Sequence, residues 1–221
     1  MYQTISHVTG WIIEGKMLFA YLTGFSLSFS LILAIGSQNA FVLRQAVLRQ
    51  HIGALVLFSA VSDALLIIAG VAGLSLLIAD FVDQIAPWLF GGAAIWLAGY
   101  GVLRVRDAFG NQALTMGDRP SASLAASLAV AAVLTFGNPH VYLDTVVLIG
   151  TVSLQFDGAA KIAFTAGAIT ASLVFFSALG YGGYLLSGYM QRPGSWRLLN
   201  AGIALIMFLL AAAMLRAGDW I

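Results

Sequence analysis

Residues 134–145 read Leu-Thr-Phe-Gly-Asn-Pro-His-Val-Tyr-Leu-Asp-Thr, a polar stretch inside a long apolar run. Pro139 removes a helical hydrogen-bond donor and clashes with the preceding turn, and Gly137 lowers the cost of unwinding. As a straight helix, residues 124–154 would measure about 46 Å, whereas the hydrocarbon core of a bilayer is about 30 Å thick. The stretch therefore predicts a membrane helix that is broken near its middle.

A second polar stretch interrupts the first apolar run. Residues 35–39 read Ile-Gly-Ser-Gln-Asn, and the surrounding run 17–43 would measure about 40 Å as a straight helix. At an offset of 101 residues, Gly36 aligns with Gly137. Broken helices that face each other in inverted repeats recur among secondary transporters. The alternative interpretation is chance similarity between two kinked helices.

The composition places the chain in a membrane. Hydrophobic residues make up 61% of the 221 residues and charged residues only 9%, whereas a soluble domain averages about 25% charged residues. The chain has no cysteine, which excludes thiol redox chemistry, iron–sulfur clusters and thiolate metal sites. A net charge of +1 gives no electrostatic argument for nucleic acid as a partner. The partner that the composition implies is the lipid bilayer.

Six apolar runs are long enough to be spans, given that a crossing needs about 20 residues. The predicted fold is therefore an all-α polytopic membrane protein of six transmembrane helices, with repeats at about 17–105 and 123–216. Because each repeat holds an odd number of spans, the two repeats are inverted, and the first and fourth helices are the broken ones. The runs are 17–43, 54–79, 87–103, 124–139 continuing to 154, 162–186 and 198–215, with Asp80 and Asp83 in the second connection.

The start of the chain differs from the rest. Residues 1–16 are mixed in character and lack the basic region, separate apolar core and small-residue cleavage site of a signal peptide. The codons for Glu14-Gly15-Lys16 would resemble a ribosome-binding site just ahead of Met17. We expect residues 1–16 to be an N-terminal extension, with Met17 as the working start of a single transporter domain, 17–221.

The distribution of lysine and arginine predicts the orientation. Cytoplasmic connections carry an excess of these residues, and here seven lie in the odd-numbered connections against three on the opposite side. Both termini are therefore predicted to be external. The seven are Arg44, Arg49, Arg104, Arg106, Arg119, Arg192 and Arg197, and the three are Lys16, Lys161 and Arg216.

Asp63 and Asp144 are the strongest candidates for function. Asp63 lies about 15 Å into the second predicted span, and a charged residue at that depth costs on the order of 3 kcal/mol even on lenient scales. Two buried carboxylates suit a substrate with two positive groups, or a pair that exchanges a shared proton for cargo. The alternative for either aspartate is a structural ion pair with Arg44.

Polar groups beside the breaks are the next candidates. Gln38, Asn39 and Asn138 could satisfy unwound backbone or hold the carboxylate and amine of a substrate. His140 is a candidate proton relay because imidazole titrates near neutral pH, although a lone membrane histidine more often serves helix packing. With two other histidines, both near span ends, a metal site is not expected.

Both polar stretches resemble signatures of the LysE-type lysine/arginine exporters. Residues 36–45, Gly-Ser-Gln-Asn-Ala-Phe-Val-Leu-Arg-Gln, are similar to the first signature, and residues 134–145 to the second. The resemblance implies six helices in a bacterial inner membrane, and export of L-lysine or L-arginine driven by the membrane gradient. Two sites depart from the usual pattern: Ser37 stands where relatives have Pro or Ala, and Phe136-Gly137 where they have Trp-Leu. The residues that match the pattern are Gln38, Asn39, Asp63, Asn138, Pro139, Tyr142 and Asp144.

The sequence therefore predicts a secondary active exporter of basic L-amino acids, with no enzymatic activity and no cofactor. The alternatives are an exporter of a neutral amino acid such as homoserine or threonine, an exporter of a metal cation, and a membrane scaffold without transport. The sequence leaves the choice between lysine and arginine, the coupling ion and a homo-oligomeric state open.

Overall fold

The computed structural model describes residues 2–33, 36–109, 123–138, 141–188 and 193–221. All regular structure in these ranges is helical, which confirms the predicted all-α class. The stretch Tyr142–Leu148 is π-helical, and within Gly70–Leu74 the chain kinks between two helices. The α-helices are α1 (Tyr2–Leu33), α2 (Ser37–Val47), α3 (Ile52–Ala69), α4 (Ser75–Phe109), α5 (Leu124–Phe136), α6 (Ile149–Ser153), α7 (Gly158–Leu186) and α8 (Pro193–Ala217).

Several of these helices have the length and composition of membrane spans. Among the described residues, four segments are long and apolar enough to cross a bilayer, and two shorter apolar helices, Leu124–Phe136 and Tyr142–Ser153, accompany them. Large apolar side chains cover the outside, as at Ile95, which is 77% exposed. An apolar exterior of this kind is suited to lipid. The four long segments are Glu14–Leu33, Ile52–Leu74, Gly158–Leu186 and Arg197–Ala217.

The chain leaves the helical path at both predicted breaks. Helix α1 ends at Leu33 and α2 begins at Ser37. Helix α5 ends at Phe136, and the π-helical stretch begins at Tyr142. Two of the residues predicted to matter at the second break, Pro139 and His140, lie outside the described residues. The polar stretches therefore coincide with the ends of helices, as expected from their glycine and amide content.

The prediction of a second connection at Asp80 and Asp83 is wrong. The structure turns instead at Gly73, whose φ of 110° is readily adopted only by glycine. The two aspartates belong to α4, a single helix of 35 residues. At about 52 Å it is longer than a bilayer core is thick, so charged residues in its early turns do not require a loop.

Close helix packing rests on glycine where α1 meets α7 and where Gly70 meets Val146. Helix α1 packs on α7, and α4 packs on α8. A Cβ atom at Gly24 would overlap the backbone carbonyl of Phe164, and one at Gly167 would overlap that of Tyr21. A Cβ at Gly70 would lie 2.5 Å from the carbonyl oxygen of Val146. Small residues let helix backbones approach this closely in membranes, and the packing brings the two broken segments together.

Candidate functional site

A cavity of about 90 Å³ lies where the two breaks meet. It is bounded by the start of α2, by α3, and by the chain on both sides of the second break. Two polar residues that were not predicted, Ser37 and Thr145, also line it. The structure therefore brings five of the six predicted substrate or proton ligands to one cavity: Gln38, Asn39, Asp63, Asn138 and Asp144.

Asp63 is held from the opposite half of the chain. Its carboxylate is buried, and the Ser172 hydroxyl donates to its Oδ2 over 2.8 Å. Within the described ranges Asp63 forms no ion pair, so the alternative pairing with Arg44 is not formed in this structure. Arg44 instead lies in the last turn of α2, away from the cavity wall.

Ser172 was missed in the sequence because a serine in an apolar helix usually bonds its own backbone. Thr170, two residues earlier, does this by donating to the Ala166 carbonyl over 2.7 Å. The two hydroxyls look alike in sequence, since only the fold shows that one of them faces Asp63. Ser172 and Asp63 are both buried. To predict their contact, one would have to know in advance that the two helices pack with these residues at the same depth.

Asp144 is placed by unusual backbone geometry. It lies in the π-helical stretch Tyr142–Leu148 and is only partly buried. A π-helix has a wider turn than an α-helix, and such segments are frequent at functional sites. The wider turn follows directly on the second break, and it presents Asp144 and Thr145 to the cavity.

Two side chains stabilise the breaks. The Asn39 amide donates to the Ile32 carbonyl over 2.8 Å, which satisfies an acceptor in the last turn of α1. The Tyr142 hydroxyl donates to the Phe136 carbonyl over 2.9 Å, at the end of α5. Terminal carbonyls of a helix have no partner within the helix, so both bonds stabilise unwound chain. Tyr142 is outside the cavity lining, and its predicted contact with substrate stays a prediction.

The first turn of α2 opens into the cavity. Its N-cap residue, Gly36, has extended backbone angles (φ −83°, ψ 179°) and no side chain with which to cap the helix. Within the described part of the chain, the Ser37 hydroxyl and the Gln38 amide nitrogen are buried without a hydrogen-bond partner. At the other break Gly137 caps α5 and donates to the Val133 carbonyl over 2.9 Å.

Interrupted helices that meet at a pocket lined by several polar groups are a recurrent feature of membrane transporters. The chain belongs to the LysE type translocator family, which it matches over residues 29–218. It is accordingly a multi-pass membrane transport protein and not an enzyme.

Several bacterial transport proteins are similar to most of the chain. A Mycobacterium tuberculosis protein provisionally named an amino-acid transporter is 40% identical over 182 residues, 82% of this chain and 90% of its own. The arginine exporter protein ArgO of Yersinia enterocolitica is 36% identical over 210 residues, 91% of this chain and 98% of its own. The lysine exporter LysE of Corynebacterium glutamicum is 32% identical over 233 residues, which cover 90% of this chain and 99% of its own. No solved structure matches significantly.

Proposed function

We propose that this protein exports basic L-amino acids, L-lysine or L-arginine or both, by secondary active transport driven by the membrane gradient. The observation that carries the proposal is the presence of two carboxylates, Asp63 and Asp144, on one internal cavity. A buried carboxylate in a membrane is costly and usually functional. Named relatives export lysine or arginine, and they are similar over about nine-tenths of the chain.

The cavity wall fits the two ends of a basic amino acid. Asp63 and Asp144 hold the cationic side chain or exchange the coupling proton, and the amides at the breaks hold the α-amino and α-carboxylate groups. Between these polar groups the wall is apolar, with Leu97 and Phe176 among its residues. Such a wall suits the methylene chain of lysine or arginine, because that part of the substrate makes no hydrogen bonds.

The proposed mechanism is alternating access between two inverted three-helix halves. Helix pairing supports it: α1 of the first half packs on α7 of the second, and α4 packs on α8. The second span approaches the fourth in a similar way, at Gly70 and Val146. Rocking of one half against the other would expose the cavity to each side in turn.

Contacts between connections support the proposed topology, with both termini outside a bacterial inner membrane. Arg49, in the first connection, donates to the Ser187 hydroxyl over 2.8 Å near the fifth connection. Trp220, near the C-terminus, donates to the Pro87 carbonyl over 2.9 Å. The first and fifth connections thus share one face, and the C-terminus lies beside the start of the third span. The arginine bias makes the first of these faces cytoplasmic.

Cysteine labelling tests this topology on a background without native cysteine. We expect Gly188→Cys to resist an impermeant maleimide in intact cells and to react after the membrane is opened. Ile221→Cys, which replaces a residue 73% exposed, should react in intact cells. Both positions are open to reagent, since Gly188 has no neighbour within 4 Å of a built Cβ. If Gly188→Cys reacted in intact cells and Ile221→Cys did not, the orientation of the protein in the membrane would be the opposite of the one proposed.

Substrate-loaded vesicles test the proposed function. Efflux of L-lysine, L-arginine, L-homoserine and L-threonine is compared side by side, with vesicles lacking the protein as the baseline. We expect efflux of lysine or arginine to exceed that of both neutral amino acids, because only the basic substrates have a side-chain cation for the carboxylates. Faster efflux of homoserine or threonine would refute the proposed substrate class.

A further inference from the structure

The N-terminal turn of α2 has the properties of an anion site. The first intrahelical bond of α2 runs from the Ala40 amide to the Gly36 carbonyl over 3.0 Å, so the amides of Ser37 and Gln38 precede the helical ladder. Such amides have no acceptor within the helix, and they carry the positive end of its dipole. Gly36 supplies no side-chain oxygen to cap them. Residues 36–39 all line the cavity, so this turn opens onto it.

Two buried side chains in this turn are a second, independent observation that points to a polar ligand. Ser37 is 0% exposed and Gln38 is 7% exposed, and both line the cavity. Within the described residues, the Ser37 Oγ and the Gln38 Nε2 have no hydrogen-bond partner. Buried polar groups in native proteins nearly always have partners, so both groups are available to a molecule in the cavity. Each can act as a donor, as an anion requires.

We infer that the first turn of α2, with the Ser37 hydroxyl and the Gln38 amide, binds the α-carboxylate of the exported amino acid. The inference rests on the proposed function and deepens it, since it assigns one polar end of the substrate to one element. One of the two donors on the Asn39 Nδ2 is used by the Ile32 carbonyl, so the site is assigned to Ser37 and Gln38. The cationic end then falls to the carboxylates of Asp63 and Asp144. The site consequently selects amino acids over amines that lack a carboxylate.

The test introduces by mutation an N-cap side chain that competes with the substrate carboxylate for the amides of the first turn of α2. Gly36 has extended backbone angles open to any residue, and nothing lies within 4 Å of a Cβ built there. In Gly36→Ser the hydroxyl accepts from the amides of the first turn, as N-cap serines do. Gly36→Ala has the same Cβ without the hydroxyl. Binding of labelled L-lysine to purified protein is measured by displacement with L-lysine and with its decarboxylated diamine.

We expect lysine to bind Gly36→Ser about fivefold more weakly than Gly36→Ala, the ratio that corresponds to an N-cap hydroxyl. The diamine should displace the label from both variants at equal concentrations, and from the wild type far less effectively than lysine. Gln38→Glu serves as a second variant, in which a negative charge replaces the amide. It should weaken lysine binding at least tenfold and leave diamine binding no weaker.

The outcomes separate this inference from the proposed function. Equal lysine affinity of the two Gly36 variants, or equal displacement of the wild-type label by diamine and lysine, overturns the carboxylate site even if lysine is exported. If homoserine binds and lysine does not, the proposed substrate class fails. The same comparison with homoserine and its amide, which lacks the carboxylate charge, then decides the site. A fivefold weaker binding of homoserine to Gly36→Ser would support it.

Discussion

Asp63→Asn is expected to abolish export while the protein still inserts and accumulates in the membrane. Asparagine keeps the size of the side chain and its bond from Ser172, but it removes the charge and the titrating proton. If Asp63 binds the cationic end of the substrate, the variant loses that binding. If Asp63 carries the coupling proton, the variant loses the coupling, so transport stops in both cases. Removing a buried charge does not hinder insertion. Efflux from loaded vesicles, at matched abundance of wild type and variant, measures the effect.

Two further variants give this experiment its controls. Asp107→Asn removes a carboxylate that is paired with Arg104 over 2.8 Å and lies away from the cavity, and it should export at the wild-type rate. The double variant Asp63→Asn with Arg44→Gln tests the alternative of a charge pair, since neither charge would then be left alone. We expect no recovery of export in the double variant. Wild-type efflux from Asp63→Asn alone would refute the role proposed for this residue.

Gly167→Val is expected to prevent accumulation of the folded protein. A Cβ at this position would overlap the Tyr21 carbonyl, which is backbone and cannot rotate away. Helices α1 and α7 would therefore have to separate along their most extensive contact, with loss of the packing that holds membrane helices together. Abundance in the membrane should fall several-fold or more, as measured by immunoblotting of membranes after equal induction.

Gly92→Val is the matched control for this packing experiment. Gly92 also lies in a long helix, α4, but nothing is within 4 Å of a Cβ built there. The same substitution then tests helix propensity and lipid exposure without a clash. We expect its abundance to stay close to that of the wild type. Equal abundance of the two valine variants would show that close approach of α1 and α7 is not required for folding.

The two breaks could be predicted because their causes are local. Gly36, Gly137 and Pro139 weaken a helix wherever it packs, and adjacent amides mark the unwound chain. The turn at Gly73 could not be predicted in the same way. Its φ of 110° has no marker in the neighbouring residues, and Gly73 is one of 24 glycines. Asp80 and Asp83 gave the stronger local signal, and it was misleading because α4 is longer than one crossing.

Within the candidate site, the carboxylates and the side-chain amides could be predicted from the sequence, whereas the hydroxyl groups could not. The cost of a carboxylate in lipid rises with its depth in the predicted span, so Asp63 stands out without a structure. Ser37 and Ser172 are small hydroxyls in apolar runs, and such groups are usually satisfied by their own helix. Their roles follow from which helix lies opposite, and that depends on long-range packing.

The bonds that stabilise the breaks bear on how the protein would move. Asn39 reaches Ile32 and Tyr142 reaches Phe136, so each bond closes within its own half of the chain. Either half could therefore shift as a rigid body without exposing an unsatisfied carbonyl at its break. By contrast, the bonds from Ser172 to Asp63 and from Arg49 to Ser187 join the two halves. The activation barrier of the transport cycle would then include breaking these cross-links, and one of them ends on the carboxylate that is proposed to take up the substrate or the proton.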